Sequence, residues 1–238
     1  MDKYWIAING IKSNEIGVVL QRPLSLSAPV ADVTTVKVAG RNGDLHYFSG
    51  SYKNRPAKAE AYVYSDSNVE EYIGQINSWL FSSLGYLKLE SSGDPDHFLM
   101  ARISNGADVE SRLEKLAPFE VKFDCKPQRF LNSGLLDIVL EEEGTIENPT
   151  MFDALPWNYV QGTGAGTLTI GTKTVEFLDL VGEIVLDTET NNAYTPEQGN
   201  LNHKIKASEF PTIAPGENIV TFTGGVSRVI ITPRWWEL

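Results

Sequence analysis

A short polar segment punctuated by glycine, in the first quarter of the chain, constrains the fold more than any other feature. Strand-like runs lie on either side of it, over 33–38 and 59–64. Asn-Gly between such runs is the strongest short-range hairpin signal, because both central residues of a two-residue turn need positive φ. We therefore predict a tight β-hairpin within the sequence Gly40-Arg41-Asn42-Gly43-Asp44-Leu45, followed by the glycine-containing stretch Ser49-Gly50-Ser51-Tyr52-Lys53-Asn54.

The charge balance argues against a nucleic-acid-binding protein. The chain has 20 Lys and Arg against 31 Asp and Glu, a formal net charge of −11. Residues 1–133 hold 15 basic and 16 acidic side chains, whereas residues 134–238 hold 5 and 15. Binding to DNA or RNA requires Lys and Arg to neutralise phosphates. The uneven charge also predicts two units with different surroundings.

Chain length and cysteine content predict a globular protein with a substantial core. A chain of 238 residues buries roughly 70% of its unfolded surface on folding. The single cysteine, Cys125, cannot form an internal disulfide, which argues against an oxidised secreted scaffold. We find no apolar run typical of a signal peptide or a membrane span. We therefore expect a protein that is made in the cytoplasm and stays soluble.

Residues 1–133 predict a mainly β domain with one α-helix at about 67–82. Ser67 and Glu70 have the spacing of a capping box at the start of that helix. Apolar residues then recur at three- and four-residue intervals through Leu80, which gives one apolar stripe. In the later strand 117–125, Cys125 falls on the apolar side of an alternating run. We therefore interpret it as a buried structural thiol and not as a nucleophile.

Residues 134–147 predict a charged connector, and residues 148–238 a β-sandwich. Turn residues separate short strand-like runs at intervals of about 8–12 residues, a spacing typical of sandwiches. Gly162-Thr163-Gly164-Ala165-Gly166 resembles a phosphate-binding loop, but such loops open a helix. A strand follows here, so we predict a flexible hairpin loop. The predicted strands are 157–160, 167–170, 174–177, 183–187, 204–206, 218–222 and 226–232.

No catalytic, cofactor or metal constellation is evident, so we predict that the protein is not an enzyme. The three histidines, His46, His97 and His203, are far apart in the sequence. Two groups of side chains carry metal-ligand atoms but lack zinc-type or EF-hand spacing. These groups are Asp94, Asp96 and His97, and Asp187 with Glu189.

Tryptophans in the second half raise a separate possibility of sugar binding. Trp157, Trp235 and Trp236 could stack on sugar rings as aromatic platforms do. Adjacent strand residues point to opposite faces. We therefore take Trp235 and Trp236 as the candidates for an exposed aromatic residue, and we expect one of them in the core and the other at the surface or an interface.

The order of motifs over some 200 residues resembles the distal tail protein (Dit) family of siphophages. No single motif is specific, but their order is. Besides Gly40–Leu45 and Tyr52-x-Asn54, they are Phe123-x-Cys125-x-Pro127, Glu147-Asn148-Pro149, Gly164-x-Gly166-Thr167-Leu168-x-Ile170, Ile184-x-Leu186-Asp187, Tyr194, Phe210-Pro211, Pro215-Gly216-x-Asn218 and Pro233-Arg234-Trp235.

The resemblance implies a virion structural protein at the tip of a long, non-contractile tail, encoded by a phage or prophage. Its first domain would form a hexameric ring, and its second would be a galectin-like, carbohydrate-binding-module-like sandwich. The implied partners are the tail tube protein, the tape-measure protein, the tail-associated lysin or fibre, and receptor-binding or baseplate proteins. DNA would pass through the ring, no cofactor would be needed, and assembly would take place in the host cytoplasm.

The glycine-containing turn has two interpretations. It is either only a hairpin tip or a tip that seats on a neighbouring subunit. For the second interpretation the interface candidates are Arg41, Asn42, Asp44, Tyr52 and Asn54. Two other functions remain open from sequence. One is a carbohydrate-binding adhesion module, and the other is a glycosidase that uses two carboxylates.

Overall fold

Antiparallel β-strands make up most of this computed structural model, which describes residues 4–65, 70–104, 116–197 and 199–238. The chain divides into two units, residues 1–129 with Leu238, and residues 130–237. The prediction of a mainly β protein with one α-helix is confirmed within the described ranges.

The first unit is built on one antiparallel sheet. Its strand order is β2-β1-β8-β9-β10-β7-β3, and β4 also pairs with β7. The strands are β1 (Ile6–Ile8), β2 (Ile11–Lys12), β3 (Val18–Leu20), β4 (Ser25–Leu26), β7 (Arg55–Tyr64), β8 (Leu87–Ser91), β9 (Asp94–Ile103) and β10 (Leu116–Leu131), whose last two residues belong to the second unit.

Buried and less buried side chains alternate along β7 and β10, and the buried ones form much of the core of the first unit. Small residues of β7 pair with rings of β10, as Ala61 does with Phe119 and Ala57 with Phe123. Cys125 ends this row fully buried, as predicted, and burial raises the pKa of its thiol to about 12. A thiol in this environment is an inert packing group.

One amphipathic helix, α1 (Glu70–Leu80), covers this core. Its buried residues Ile76, Trp79 and Leu80 belong to the same apolar cluster as the sheet. The Trp79 indole donates to the Ile11 carbonyl at 3.0 Å, which ties the end of the helix to β2. The helix therefore lies within the predicted range 67–82, while the predicted cap at Ser67 falls outside the described residues.

Two further strands, β5 (Val30–Val36) and β6 (Leu45–Lys53), form a sheet of their own. The prediction of a two-residue turn at Asn42-Gly43 is wrong. The last pair of the ribbon is Val36 with Leu45, so an eight-residue loop joins the strands. Gly40 and Gly43 adopt positive φ but Asn42 does not, and a type I′ turn requires positive φ at both central residues.

The second unit is a single seven-stranded sheet that folds over itself. Three long strands form its centre in the order β17-β13-β14. Residues from both ends of these strands, such as Leu168 and Ile231, share one apolar core, so the two halves of the sheet face each other as a sandwich. Its strands are β11 (Ile138–Leu140), β12 (Gly144–Asn148), β13 (Trp157–Ile170), β14 (Lys173–Asp187), β15 (Asn192–Tyr194), β16 (Ile205–Lys206) and β17 (Gly216–Thr232). The short strand β18 (Trp236–Glu237) pairs instead with β10.

The glycine-rich segment predicted as a hairpin loop is instead the bend of strand β13. Register shifts occur between Gly162 and Gly166. A Cβ atom on Gly162 would collide with the backbone of Gly225 on β17. Glycine is needed here because the two backbones approach too closely for a side chain. Runs that look like separate short strands are therefore two arms of one long strand.

The segment predicted as a connector, 134–147, also differs from expectation. It contains β11 and most of β12, and both strands pair with β17. Their apolar residues Ile138, Leu140 and Ile146 pack in or against the second core. The run of glutamates at 141–143 lies in the loop between the two strands, which is why its charge hides the neighbouring strand signal.

Candidate assembly surface

The ribbon of β5 and β6 stands apart from the sheet that precedes and follows it in the chain. We call residues 30–53 the arm. Neither strand of the arm pairs with any other strand of the described chain. Its polar contacts are mostly internal, such as the Lys53–Asp32 ion pair at 3.4 Å and the hydrogen bond from Ser49 to the Asp32 carbonyl at 3.0 Å.

Large apolar side chains are exposed on both faces of the arm. One face presents Val33 opposite Phe48, which is 51% exposed. The other presents Val36 opposite Leu45, with Tyr47 beside them at 68% exposure. Apolar residues on both faces are typical of a strand that is covered on both sides. Within the described chain, however, no sheet covers either face.

The outer edges of the arm are open as well as its faces. A two-stranded ribbon leaves one backbone edge of each strand without a partner strand. An isolated ribbon of this kind is at best marginally stable in water. Gly50, with φ of 83°, lies on β6 where the register shifts between Ala31 and Val33, and it bends the ribbon without closing it.

The predicted interface residues fall into two groups along the arm. Arg41, Asn42 and Asp44 lie together in the exposed loop at its tip. Tyr52 and Asn54 lie at its base, where Tyr52 packs edge-to-face on Phe48 with ring centres 6.0 Å apart. The two groups therefore do not form one site.

Asn54 has a role within the chain, because it is the single residue between β6 and β7. Its amide donates to the Tyr86 hydroxyl at 2.8 Å and to the Asp124 carboxylate at 3.1 Å. Asp124 also accepts from Arg102 at 2.8 Å. This network anchors the base of the arm to the main sheet.

Sequence reasoning missed the residues that make the arm distinctive, Tyr47 and Phe48 above all. The available signal was the run Leu45-His46-Tyr47-Phe48, which places apolar side chains on both faces of a strand next to a polar tip. Such a run normally indicates a buried strand. Sequence alone does not show that the covering layer is absent from the same chain.

The tryptophan candidates are placed differently from each other. Trp235 is buried in the second core, so it is not an exposed aromatic residue. Trp236 is half-buried and stacks on Phe152 at 4.5 Å, with its indole donating to the Asp153 carbonyl. Trp157 stays exposed on the outer face of β13.

Several carboxylates that line cavities in the described parts of the two units already have cationic or hydrogen-bonding partners. Glycoside hydrolysis needs two carboxyl groups that flank the scissile bond and are free to act on the sugar. The pairs are Asp94 with His97 and Arg129, Asp179 with Lys204, Glu183 with Gln161, Asp187 and Glu189 with Arg234, and Glu209 with Lys173.

Within the described ranges, no group of three or more His, Cys, Asp or Glu side chains lies close enough together to hold a metal ion. In the same ranges, no helix is long and apolar enough to cross a membrane.

Comparison with known proteins identifies the fold. No family model matches the chain, and no curated protein matches it either. The crystal structure of the Dit protein of phage SPP1 matches with a TM-score of 0.74 at 12% sequence identity, over 100% of both chains. That protein is described as a paradigm of the hub adsorption apparatus in phages that infect Gram-positive bacteria.

This chain has the Dit fold. The likeness covers both units, and it confirms at the level of fold the resemblance seen in the sequence motifs. At 12% identity the likeness identifies the architecture alone.

Proposed function

We propose that this protein is the hub subunit of a siphophage tail tip and that six copies close into a ring through their first units. The observation that carries the proposal is an uncovered arm on a chain with the Dit fold over its full length. The ring would join the tail tube and tape-measure protein on one side to the tail-associated lysin or fibre and receptor-binding or baseplate proteins on the other.

The geometry of the arm suits a head-to-tail interface between identical copies. A closed ring uses two different patches on each subunit, one that reaches out and one that receives. The nine residues of β6 span about 30 Å, which is long enough to lie across a neighbouring domain of this size. The main sheet of the first unit ends in strands of two and three residues, β2 and β3. We propose that these short margins and the adjoining surface receive the arm of the next copy.

The charge distribution supports passage of DNA through such a ring. The first unit is close to neutral, with 15 basic and 16 acidic residues, and the second carries the net negative charge. A lumen lined by near-neutral units offers no cationic grip on phosphates. Repulsion by six acidic second units further favours free passage over retention.

Electron microscopy of the purified protein at high concentration, and of tails that contain it, tests this function. We expect ring-shaped particles with sixfold symmetry. The double variant Tyr47→Ser/Phe48→Ser should abolish rings, because it removes the apolar contact surface of the arm. Ile219→Ser is the matched control, since it removes a similarly exposed apolar side chain from the second unit.

One result would count against the hub function, and another against the role of the arm in it. One is the absence of rings from the wild type both in isolation and in tails. The other is undiminished ring formation by the double variant, which would show that the arm does not contribute to the interface of the ring.

A further inference from the structure

The outer face of the second unit carries a row of aromatic rings that the hub function does not use. Side chains alternate along β13, so Trp157 and Tyr159 point away from the core that contains Val160. Tyr159 pairs with Val185 of β14, which pairs in turn with Tyr194 of β15. The three rings therefore share one face of the sheet.

These rings surround a buried position on the outer face of the sheet. Val185 points to the same outer face and has no place in the apolar core, yet it is only 1% exposed. Its neighbours across the strands on that face are Tyr159 and Tyr194. Trp157 donates from its indole nitrogen to the Tyr194 hydroxyl at 2.8 Å and keeps 39% of its surface exposed. We call Trp157, Tyr159 and Tyr194 the aromatic platform.

A groove of about 370 Å³ adjoins the platform at β15 and has unused hydrogen-bond donors. Asn192 and Asn200 both accept from Asn202 through their side-chain oxygens, each at 3.1 Å. Their NH₂ groups donate to no atom of the described chain. The Tyr194 hydroxyl accepts from Trp157 and so keeps its own proton to donate.

Fixed acceptors flank the same face. The Glu183 carboxylate accepts from Gln161 at 3.0 Å, and its hydrogen bond with the Tyr159 hydroxyl raises the pKa of that phenol. Asp187 lines the groove and is held by Arg234 at 2.7 Å. Donors, acceptors and rings are thus held in place before any ligand arrives, which lowers the entropy cost of binding.

We propose that this face binds a neutral saccharide chain. Sugar rings present C–H groups that pack on the electron-rich faces of aromatic rings, and hydroxyls that pair with amides and carboxylates. The second unit has 5 basic and 15 acidic residues, so it repels acidic polymers and leaves an uncharged glycan as the ligand that suits the face. In a tail tip this activity would add direct contact with a surface sugar to the assembly role.

The proposal is tested by applying the full chain, clustered on fluorescent streptavidin, to an array of neutral and acidic oligosaccharides. Clustering compensates for weak single-site affinity. We expect signals confined to neutral sugars. Trp157→Ala should weaken binding by roughly tenfold or more, because the stacking surface is lost. Asn192→Ala should weaken it by about tenfold or less, because one donor group is lost.

Ile219→Ala, at an exposed apolar site of the same unit that lies outside the platform and groove, should bind as the wild type does. Circular dichroism confirms that each variant is folded. Silence on every neutral sugar, binding to acidic sugars alone, or full binding by Trp157→Ala would each overturn the proposal. Ring formation by Trp157→Ala is expected to be unchanged, so failure here and failure of the hub function are separately visible.

Discussion

The arm and the second unit are both antiparallel β-structure bent by glycine, but only the second unit covers its own apolar face. In the second unit, the bulge at Gly162–Gly166 bends three long strands far enough for the sheet to fold over and cover its own inner face. In the arm, the shift opposite Gly50 bends only two strands, and both faces stay open. A glycine bend completes a core only when enough strands share it. The arm must therefore find its cover elsewhere, and another copy of the chain is the cover we propose.

The largest expected difference between the two regions concerns their glycines. Gly162→Ala should destabilise the second unit by about 4 kcal/mol or more, because the new Cβ meets the backbone of Gly225 and the bend must open. Gly50→Ala meets no neighbouring atom and should cost only about 1–2 kcal/mol for its positive φ. Urea unfolding followed by circular dichroism measures both. Equal costs would mean that close backbone approach does not set the bend.

Matched deletions of apolar side chains sharpen the comparison. Leu168→Ala should cost about 3 kcal/mol, because Leu168 is fully buried in the second core. Phe48→Ala should change the stability of the dilute monomer by no more than about 0.5 kcal/mol, because the ring is exposed there. A large loss for Phe48→Ala at low concentration would show that the arm is already packed within its own chain.

A smaller effect on stability is expected from acid at Asp187 of the second unit. Burial of Asp187 alone would raise its pKa, but hydrogen bonds from Arg234 and Thr190 outweigh burial and lower the pKa below its ordinary value of 3.8. Because the folded-state pKa is the lower one, the carboxylate stabilises the fold above about pH 4, and this stabilisation is lost as the pH falls through the folded-state pKa.

Thermal unfolding of wild type and Asp187→Asn across this pH range measures the effect. The variant should be less stable at neutral pH and should lose less stability on acidification. Identical pH profiles for the two proteins would show that Asp187 does not contribute.

The sequence predicts the elements that the spacing of neighbouring side chains determines. The spacing of Ile76 and Leu80 indicates the helix, and alternation from Phe119 to Cys125 identifies a strand with one buried face. Asn42-Gly43 correctly indicates that two strands are joined nearby. Its local preference does not fix the loop length, because pairing stops at Val36 and Leu45, which leaves five residues before the dipeptide and one after it.

Long-range contacts decide the rest. The glycines at 162–166 look like a loop until β17 is seen lying against them, and residues 138–140 look like linker until they pair with the last long strand. Trp235 and Trp236 are indistinguishable by sequence, since only the core shows which one is buried. For the same reason the platform around Trp157 could not be predicted, because Tyr194 and Val185 come from other strands.

Hydrogen exchange of the arm, read by mass spectrometry in dilute monomer and in assembled rings, tests the central claim most directly. The account predicts that backbone amides of residues 30–53 exchange fast in the monomer and become protected in the ring, while those of β13 and β17 do not change. Equal exchange of the arm in both states would contradict the claim that a neighbouring chain covers it.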